Sequence, residues 1–294
     1  MANGILIIDK PQGWTSMDVC AKLRGAFHEK RVGHGGTLDP MATGVLPVFF
    51  GRATRAVEYA TDSDKEYVAG LKLGMITNTE DTTGEVLETR PVSVTRQELE
   101  AVLKGFLGPI EQIPPMYSAI KKDGKKLYEL ARKGVEVERA PRKVTILELE
   151  VLEKAPFDWQ PEENTWFLRV RCSKGTYVRT LCHDIGQVLG CGGCMSALRR
   201  TEAGGCTLEQ SMTLEEVLSC ETPETLLRKT DSCFMEYPAV SVSGRNLFKA
   251  KNGNLFSAAV EDGIYRVYDE NGAFLLLGRA EQGKVTTIKS FFEV

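Results

Sequence analysis

The chain has 294 residues, of which 42% are apolar and 26% charged; this is the balance of a folded globular protein and too apolar for a disordered tail. Its 37 Lys and Arg against 40 Asp and Glu leave a formal charge of −3, which excludes the all-over positive field of a histone-like binder but leaves room for a local basic patch. No apolar run approaches the ~20 residues of a membrane-spanning helix, and the opening MANGILIIDKP meets an acid too early for a secretory signal, so a cytoplasmic protein with no membrane partner is expected.

Residues 5–9 read as a short buried strand closed by the turn Lys10-Pro11-Gln12-Gly13. Thr15-Ser16 with Asp18 offers N-cap chemistry for a helix in which Val19, Leu23 and Phe27 recur at helical spacing. A glycine-dense loop over 33–40 feeds the apolar run 45–50, and residues 51–55 lead into a further helical pattern. Residues 67–73 alternate as a strand, and 95–107 form an amphipathic helix stopped by Gly108-Pro109. Between 121 and 143 nine Lys and Arg face four acids; charge alone allows either a solvated helix face or a binding patch. Strands follow over 144–151 and 166–172, then a helix over 177–189. Beyond residue 230 short apolar runs at 239–242, 265–268, 274–277 and 285–288 are separated by turns such as Asp262-Gly263 and Asn271-Gly272. The pattern predicts an α/β (α+β) domain over 1–235 and a small all-β domain over 236–294.

The eight cysteines are expected as reduced thiols in a chain of this length without a signal. Cys191-Gly-Gly-Cys194 could form half a zinc site with Cys182, His183 or Cys206 nearby, but no second such pair completes it, and buried thiols are the simpler expectation. The sharpest local feature is Asp39, which ends a glycine-rich loop and precedes Pro40. Such a loop can present one carboxylate into a cleft; an Asx-turn or helix cap before the proline accounts for most Asp-Pro pairs. The loop has no GxGxxG and no GKS or GKT, which removes the dinucleotide and nucleoside-triphosphate classes. No GxSxG elbow appears, and His28, His34 and His183 follow no metal-ligand spacing. A single carboxylate without metal suits a leaving group that needs little help, such as a heterocyclic base departing from ribose through nitrogen.

Several longer runs now bear on that chemistry: Asp9-Lys10-Pro11-Gln12-Gly13-Trp14-Thr15-Ser16, the stretch from Gly33 to Leu46 (GHGGTLDPMATGVL), and Lys65-Glu66-Tyr67. Pro114-Pro115-Met116-Tyr117-Ser118-Ala119 with Gly124 and Leu127-Tyr128, then Gly175-Thr176-Tyr177-Val178-Arg179-Thr180-Leu181 and Ser196-Ala197-Leu198-Arg199-Arg200-Thr201, complete the series. In this order, over about residues 5–205, the chain resembles the TruB family of tRNA pseudouridine synthases. The β-rich tail resembles, by position and texture, the PUA-type RNA-binding module of such enzymes.

The resemblance implies the pseudouridine synthase fold, a mixed, largely antiparallel sheet with a small C-terminal all-β PUA-like domain. It implies an isomerase that turns the T-loop uridine of tRNA (position 55) into pseudouridine: the glycosidic bond breaks, the base rotates, and C5 joins C1′. No cofactor and no metal are expected. Asp39 matches the catalytic aspartate and Arg179 the arginine paired with it, whose charge favours the ionised carboxylate. His34, Tyr67, Tyr177 and Leu198 match residues that hold or line the flipped nucleotide, with Tyr67 stacking on the uracil in place of lost base stacking worth ~1–3 kcal/mol. Lys121, Lys122, Lys125, Lys126, Arg132 and Lys133 fall in the RNA-contacting insertion (about 114–143), and Arg199 and Arg200 are further expected phosphate partners, or in part structural ion pairs. The expected partner is the T-arm and T-loop of tRNA. The short segment before Asp9 and the basic insertion match the stand-alone type, so no guide RNA is expected, and the protein is expected to be a monomer.

Overall fold

The computed structural model describes residues 2–160 and 162–292. In chain order its first elements are β1 (Gly4–Lys10), α1 (Ser16–Ala26), β2 (Val32–His34), β3 (Thr43–Phe50), α2 (Val57–Asp62) and β4 (Lys65–Leu73). Next come β5 (Met75–Thr77), β6 (Val86–Thr89), α3 (Arg96–Leu103), β7 (Gly108–Gln112), β8 (Lys121–Lys122), β9 (Lys125–Lys126) and α4 (Leu127–Ala131). The middle of the chain forms β10 (Arg142–Val151), β11 (Thr165–Cys172), α5 (Val178–Val188), β12 (Gly193–Ala203), β13 (Cys206–Thr207), β14 (Met212–Thr213) and α6 (Leu214–Leu218). The last elements are β15 (Ala239–Val242), α7 (Gly244–Lys251), β16 (Phe256–Ser257), β17 (Gly263–Asp269), β18 (Phe274–Glu281) and β19 (Lys284–Ser290). Among the described residues no helix is long and apolar enough to cross a membrane.

Two compact units divide the chain, one of Met1–Asp39, Val45–Asp62 and Gly204–Val294, the other of Pro40–Gly44 and Ser63–Ala203. In the first unit, β1 is apolar at consecutive positions because both its faces are covered. It pairs in parallel with β14, and β2 pairs antiparallel with β3. Helix α1 starts at a reciprocal cap: the Asp18 amide donates to Thr15 Oγ1 (3.0 Å) and the Thr15 amide to Asp18 Oδ2 (2.9 Å). Its Val19, Leu23 and Phe27 close over Leu6, Ile8, Leu46 and Phe50.

The same unit contains a five-stranded sheet in the order β15-β17-β18-β19-β16. Its core is Val242, Phe256, Val267, Leu276 and Val285. One short helix, α7, lies between β15 and β16 of this otherwise β segment. Only Leu247 and Ala250 of that helix turn toward the core, so its periodicity is hidden in a polar sequence.

In the second unit the strand order is β12-β4-β11-β10-β7, antiparallel throughout. The first two residues of β3 lie parallel to β12, with Thr43 opposite Arg199 and Gly44 opposite Arg200. A Cβ on Gly44, whose φ is +102°, would collide with the Arg200 carbonyl oxygen and lie 2.8 Å from its nitrogen. Strand β7 occupies the edge of this sheet, which is where Pro109 is tolerated although the Gly-Pro pair reads as a stop. Helix α5 packs on β12 through facing glycines: a Cβ on Gly186 would run into the Gly192–Gly193 backbone. The Cys191–Cys194 turn thus serves close helix–strand approach. Both thiols are free and buried, and burial pushes Cys194 up to about 11.

Candidate active site

The first unit supplies two of the expected site residues. His34 ends β2 opposite Val48 and is half-buried. Asp39, also half-buried, follows a loop held from below by one hydroxyl. The Leu38 amide donates to Ser16 Oγ (2.9 Å), and that hydroxyl donates to the Leu38 carbonyl (3.2 Å). Ser16 is 1% exposed and begins α1, so the helix start fixes the residue directly before Asp39. Earlier in the loop Gly35 passes so near Ala60 and Phe49 that a Cβ would lie 2.7 Å from the Ala60 methyl. The glycines here serve packing, and they deliver a carboxylate on a braced loop.

The second unit supplies Tyr67, Tyr177, Arg179 and Leu198. Arg179, 4% exposed, lies in the first turn of α5. Its Nη1 donates to the Thr79 carbonyl (3.0 Å) and its Nη2 to the Tyr117 carbonyl (2.9 Å). Its Nε lies 3.8 Å from Asp81 Oδ2. A buried guanidinium held on three sides keeps both charge and direction. Asp81 is 5% exposed and is itself fixed, its Oδ1 accepting from Thr79 Oγ1 (2.8 Å), the Thr83 amide (3.0 Å) and Thr83 Oγ1 (2.5 Å). Next along the helix, Thr180 Oγ1 donates to Glu80 Oε2 (2.6 Å). Glu80 is held at φ +63°, and burial raises its pKa against the lowering pull of Thr180, His183 and Arg179. Asp184 is likewise pushed up to about 6, chiefly by burial.

Tyr177 precedes α5 and is clasped by a buried amide: its backbone N–H donates to Gln112 Oε1 (3.1 Å), and Gln112 Nε2 donates to its carbonyl (3.3 Å). Tyr67 lies on β4 opposite Val170 and Arg200, 9% exposed. Leu198 lies on β12 opposite Ala69, 7% exposed.

The basic residues separate into three groups. Lys121 and Lys122 pair with Lys126 and Lys125 in the β8–β9 hairpin, whose turn takes Asp123 (φ +51°) and Gly124 (φ +80°). Lys121, Lys122 and Lys125 are exposed there, as are Arg132 and Lys133 beyond α4. Lys126 and Arg132 both lie over the Tyr128 ring, at 5.4 and 5.3 Å from its centroid. Arg199 is partly committed: its Nη1 donates to Thr43 Oγ1 (3.2 Å), and its guanidinium lies 5.0 Å from the Phe157 ring centroid. Arg200 is placed differently from Arg199. Alternation along β12 turns it to the face of Tyr67 while Arg199 takes the face of Val68, and Arg200 is left 1% exposed.

Asp81 and Gln112 carry no signal in the sequence that singles them out, and Ser16 stands out there only as part of a helix start. Asp81 lies in Thr79-Glu80-Asp81-Thr82-Thr83-Gly84, where an Asp among threonines reads as turn chemistry. The turn is real, and the ion pair with a residue 98 positions on has no local signal.

Known proteins resemble this chain along nearly its whole length. Residues 24–178 match the family model described as TruB family pseudouridylate synthase (N terminal domain). Residues 179–230 match that of the tRNA pseudouridylate synthase B C-terminal domain. The tRNA pseudouridine synthase B of Pseudomonas putida strain F1 is 46% identical over 292 residues, covering 96% of this chain and 93% of the relative. That of Ralstonia pickettii strain 12J is 48% identical over 245 residues, 83% and 76% of the two chains. Among solved structures, a chain of a Cbf5-Nop10-Gar1 complex superposes with a TM-score of 0.73 at 27% identity, over 99% of this chain and 85% of that one.

Proposed function

Since this chain belongs to the TruB family of pseudouridylate synthases, we infer that it is an isomerase converting a uridine of tRNA to pseudouridine. The uridine is that of the T-loop, position 55. A base enclosed in a folded loop must leave its stack before its C1′ can be reached. Tyr67, Tyr177 and Leu198 form the lining for the extruded base, and His34 helps to hold the nucleotide. Asp39 supplies the reacting carboxylate and Arg179 the fixed positive charge of the site. Uracil departs through nitrogen, a leaving group that needs little help, and returns through C5. The C5 hydrogen is then released as a proton while N1 takes one up, so the isomerisation is proton-neutral overall.

The feature that most supports these assignments is the three-sided hold on Arg179, since a dry, immobile guanidinium stabilises developing negative charge without reorganising as the reaction proceeds. The hairpin lysines with Arg132 and Lys133 meet the T-arm backbone, as suits recognition of a folded RNA loop by shape. Residues 1–235 form the catalytic part, with the RNA-contacting insertion at 114–143, and 236–294 a PUA-like module. The protein acts as a cytoplasmic monomer without guide RNA. Release of tritium from an unmodified tRNA transcript labelled at uracil C5 tests the reading. Release by the wild type alone, lost when the T-loop uridine is changed to cytidine, is expected. No release despite tight binding would overturn it in favour of a guide-dependent or non-catalytic RNA binder.

A further inference from the structure

Three consecutive residues of the turn between β5 and β6 act on two consecutive residues of α5. The Thr79 carbonyl and the Asp81 carboxylate flank the Arg179 guanidinium. Between them, Glu80 reaches to the next residue of the helix. Its Oε2 accepts from Thr180 Oγ1 at 2.6 Å, the length of a hydrogen bond to an ionised carboxylate. Thr180 is 3% exposed. The backbone of the same turn is stitched to β12: the Met195 amide donates to the Glu80 carbonyl (3.0 Å), and the Thr82 amide donates to the Met195 carbonyl (2.9 Å). The turn therefore joins the first turn of α5, which carries Arg179, to the strand that carries Leu198.

Keeping Glu80 in that place costs stability twice. Its φ of +63° puts a residue with a β-carbon in the left-handed region, where glycine or asparagine sits at lower cost. Its carboxyl is also withdrawn from water, and burial raises its pKa although Thr180, His183, Arg179 and Arg139 all favour the ionised form. Strain of this kind persists only where the surroundings over-determine it, and it collects where geometry serves a reaction. A turn that only linked β5 to β6 would need neither a left-handed glutamate nor a covered carboxylate. We propose that Glu80 is a positioning residue for the isomerisation: by holding Thr180 it sets the rotation of the first turn of α5, and with it the aim of the Arg179 guanidinium. The inference rests on the reading of Arg179 as the fixed charge of the site and deepens it. Thr79, Tyr117 and Asp81 hold the tip of a long side chain, whereas Glu80 holds the helix at its root.

The test uses the full chain and an unmodified tRNA transcript. Glu80→Gly removes both the strain and the buried carboxyl, so it should melt no lower than wild type. It should nevertheless lower kcat about tenfold, a fraction of the ~10²-fold that a 1 Å misplacement costs, and leave KM within about twofold. A rate lost without a loss of stability is what a merely structural brace does not give. Thr180→Val, which removes the other partner, should show the same split between kcat and KM. Thr180→Ser, which keeps the hydroxyl, should retain the wild-type rate to within about twofold. Because both changes break one contact, Glu80→Gly combined with Thr180→Val should be no slower than the slower single variant. Full-rate turnover by Glu80→Gly and by Thr180→Val, a rate loss that tracks a lowered melting temperature, or losses that multiply in the double variant would overturn the proposal. Failure of wild type to release tritium would instead sink the underlying reading.

Discussion

Asp81→Asn isolates the support of Arg179. The substitution keeps shape and leaves Oδ1 available to Thr79 and Thr83, so what disappears is the negative charge beside the guanidinium. Removing one member of a buried pair generally costs about 3–5 kcal/mol, because the other charge remains uncompensated. Here the 3.8 Å separation and the two carbonyls that still hold Nη1 and Nη2 put the cost at the lower end, about 3 kcal/mol. At ~2–4 °C per kcal/mol this lowers the melting temperature by about 6–12 °C. The guanidinium keeps two anchors but loses the third, and a displacement of the order of 1 Å costs about 10²-fold in rate. The fall should appear in kcat, with KM within a few-fold, because Asp81 is not itself at the surface that binds RNA. Asp81→Ala should melt lower still, by about 1 kcal/mol for each loop hydrogen bond it also removes. Thermal melts and single-turnover pseudouridine formation on tRNA transcript read both effects. An Asn variant that melts within about 2 °C of wild type and turns over at full rate would refute the reasoning.

Asp39→Asn should abolish product while tRNA affinity, measured by filter binding, stays within several-fold; residual turnover would remove Asp39 from its role. Charge reversal at Lys125, Lys126 and Lys133 should weaken tRNA binding and flatten the dependence of log K on log salt by up to about 0.7–0.9 for each phosphate no longer neutralised; an unchanged slope would make the patch a solvated face. Asp184, pushed up to about 6 from 3.8 by burial, binds its proton more tightly folded than unfolded. Its contribution is therefore favourable below about 3.8 and is lost as pH rises through about 6. Asp184→Asn should raise the melting temperature at pH 8 and change it little at pH 3.5, and an equal shift at both would contradict that assignment. Gly44→Ala should yield little soluble protein, since the added methyl meets Arg200 backbone rather than a movable side chain; a well-folded variant would show that β3 can shift.

Local signals carried much of the fold. The runs 45–50, 67–73, 144–151 and 166–172 all became strands, because each is apolar or alternating enough to declare a buried face. The capped start of α1 was equally plain, since Thr15 and Asp18 lie within one turn. Strand β12 was less visible as structure: its Ser196–Thr201 run mixes small, apolar and charged residues, and only its place between β3 and β4 makes Arg200 a buried side chain. The motifs located Asp39, Tyr67 and Arg179 along the chain. What holds two of them came from elsewhere, Ser16 from 22 residues before Leu38 and Asp81 from 98 residues before Arg179. Such partners are chosen by the fold, and no spacing announces them.

The junction of Gly44 with Arg200 has a consequence for how the sheet finds its alignment. Arg199-Arg200 is the same residue twice, so sliding β12 by one place would exchange which arginine is entombed without altering any charge. Side-chain chemistry cannot tell the right pairing from the wrong one at these two rungs. Volume can: only the hydrogen atom of a glycine fits against the Arg200 backbone, and a slip would bring Thr43 or Val45 to that place. A single missing carbon atom thus acts as the proofreading element for an otherwise ambiguous repeat.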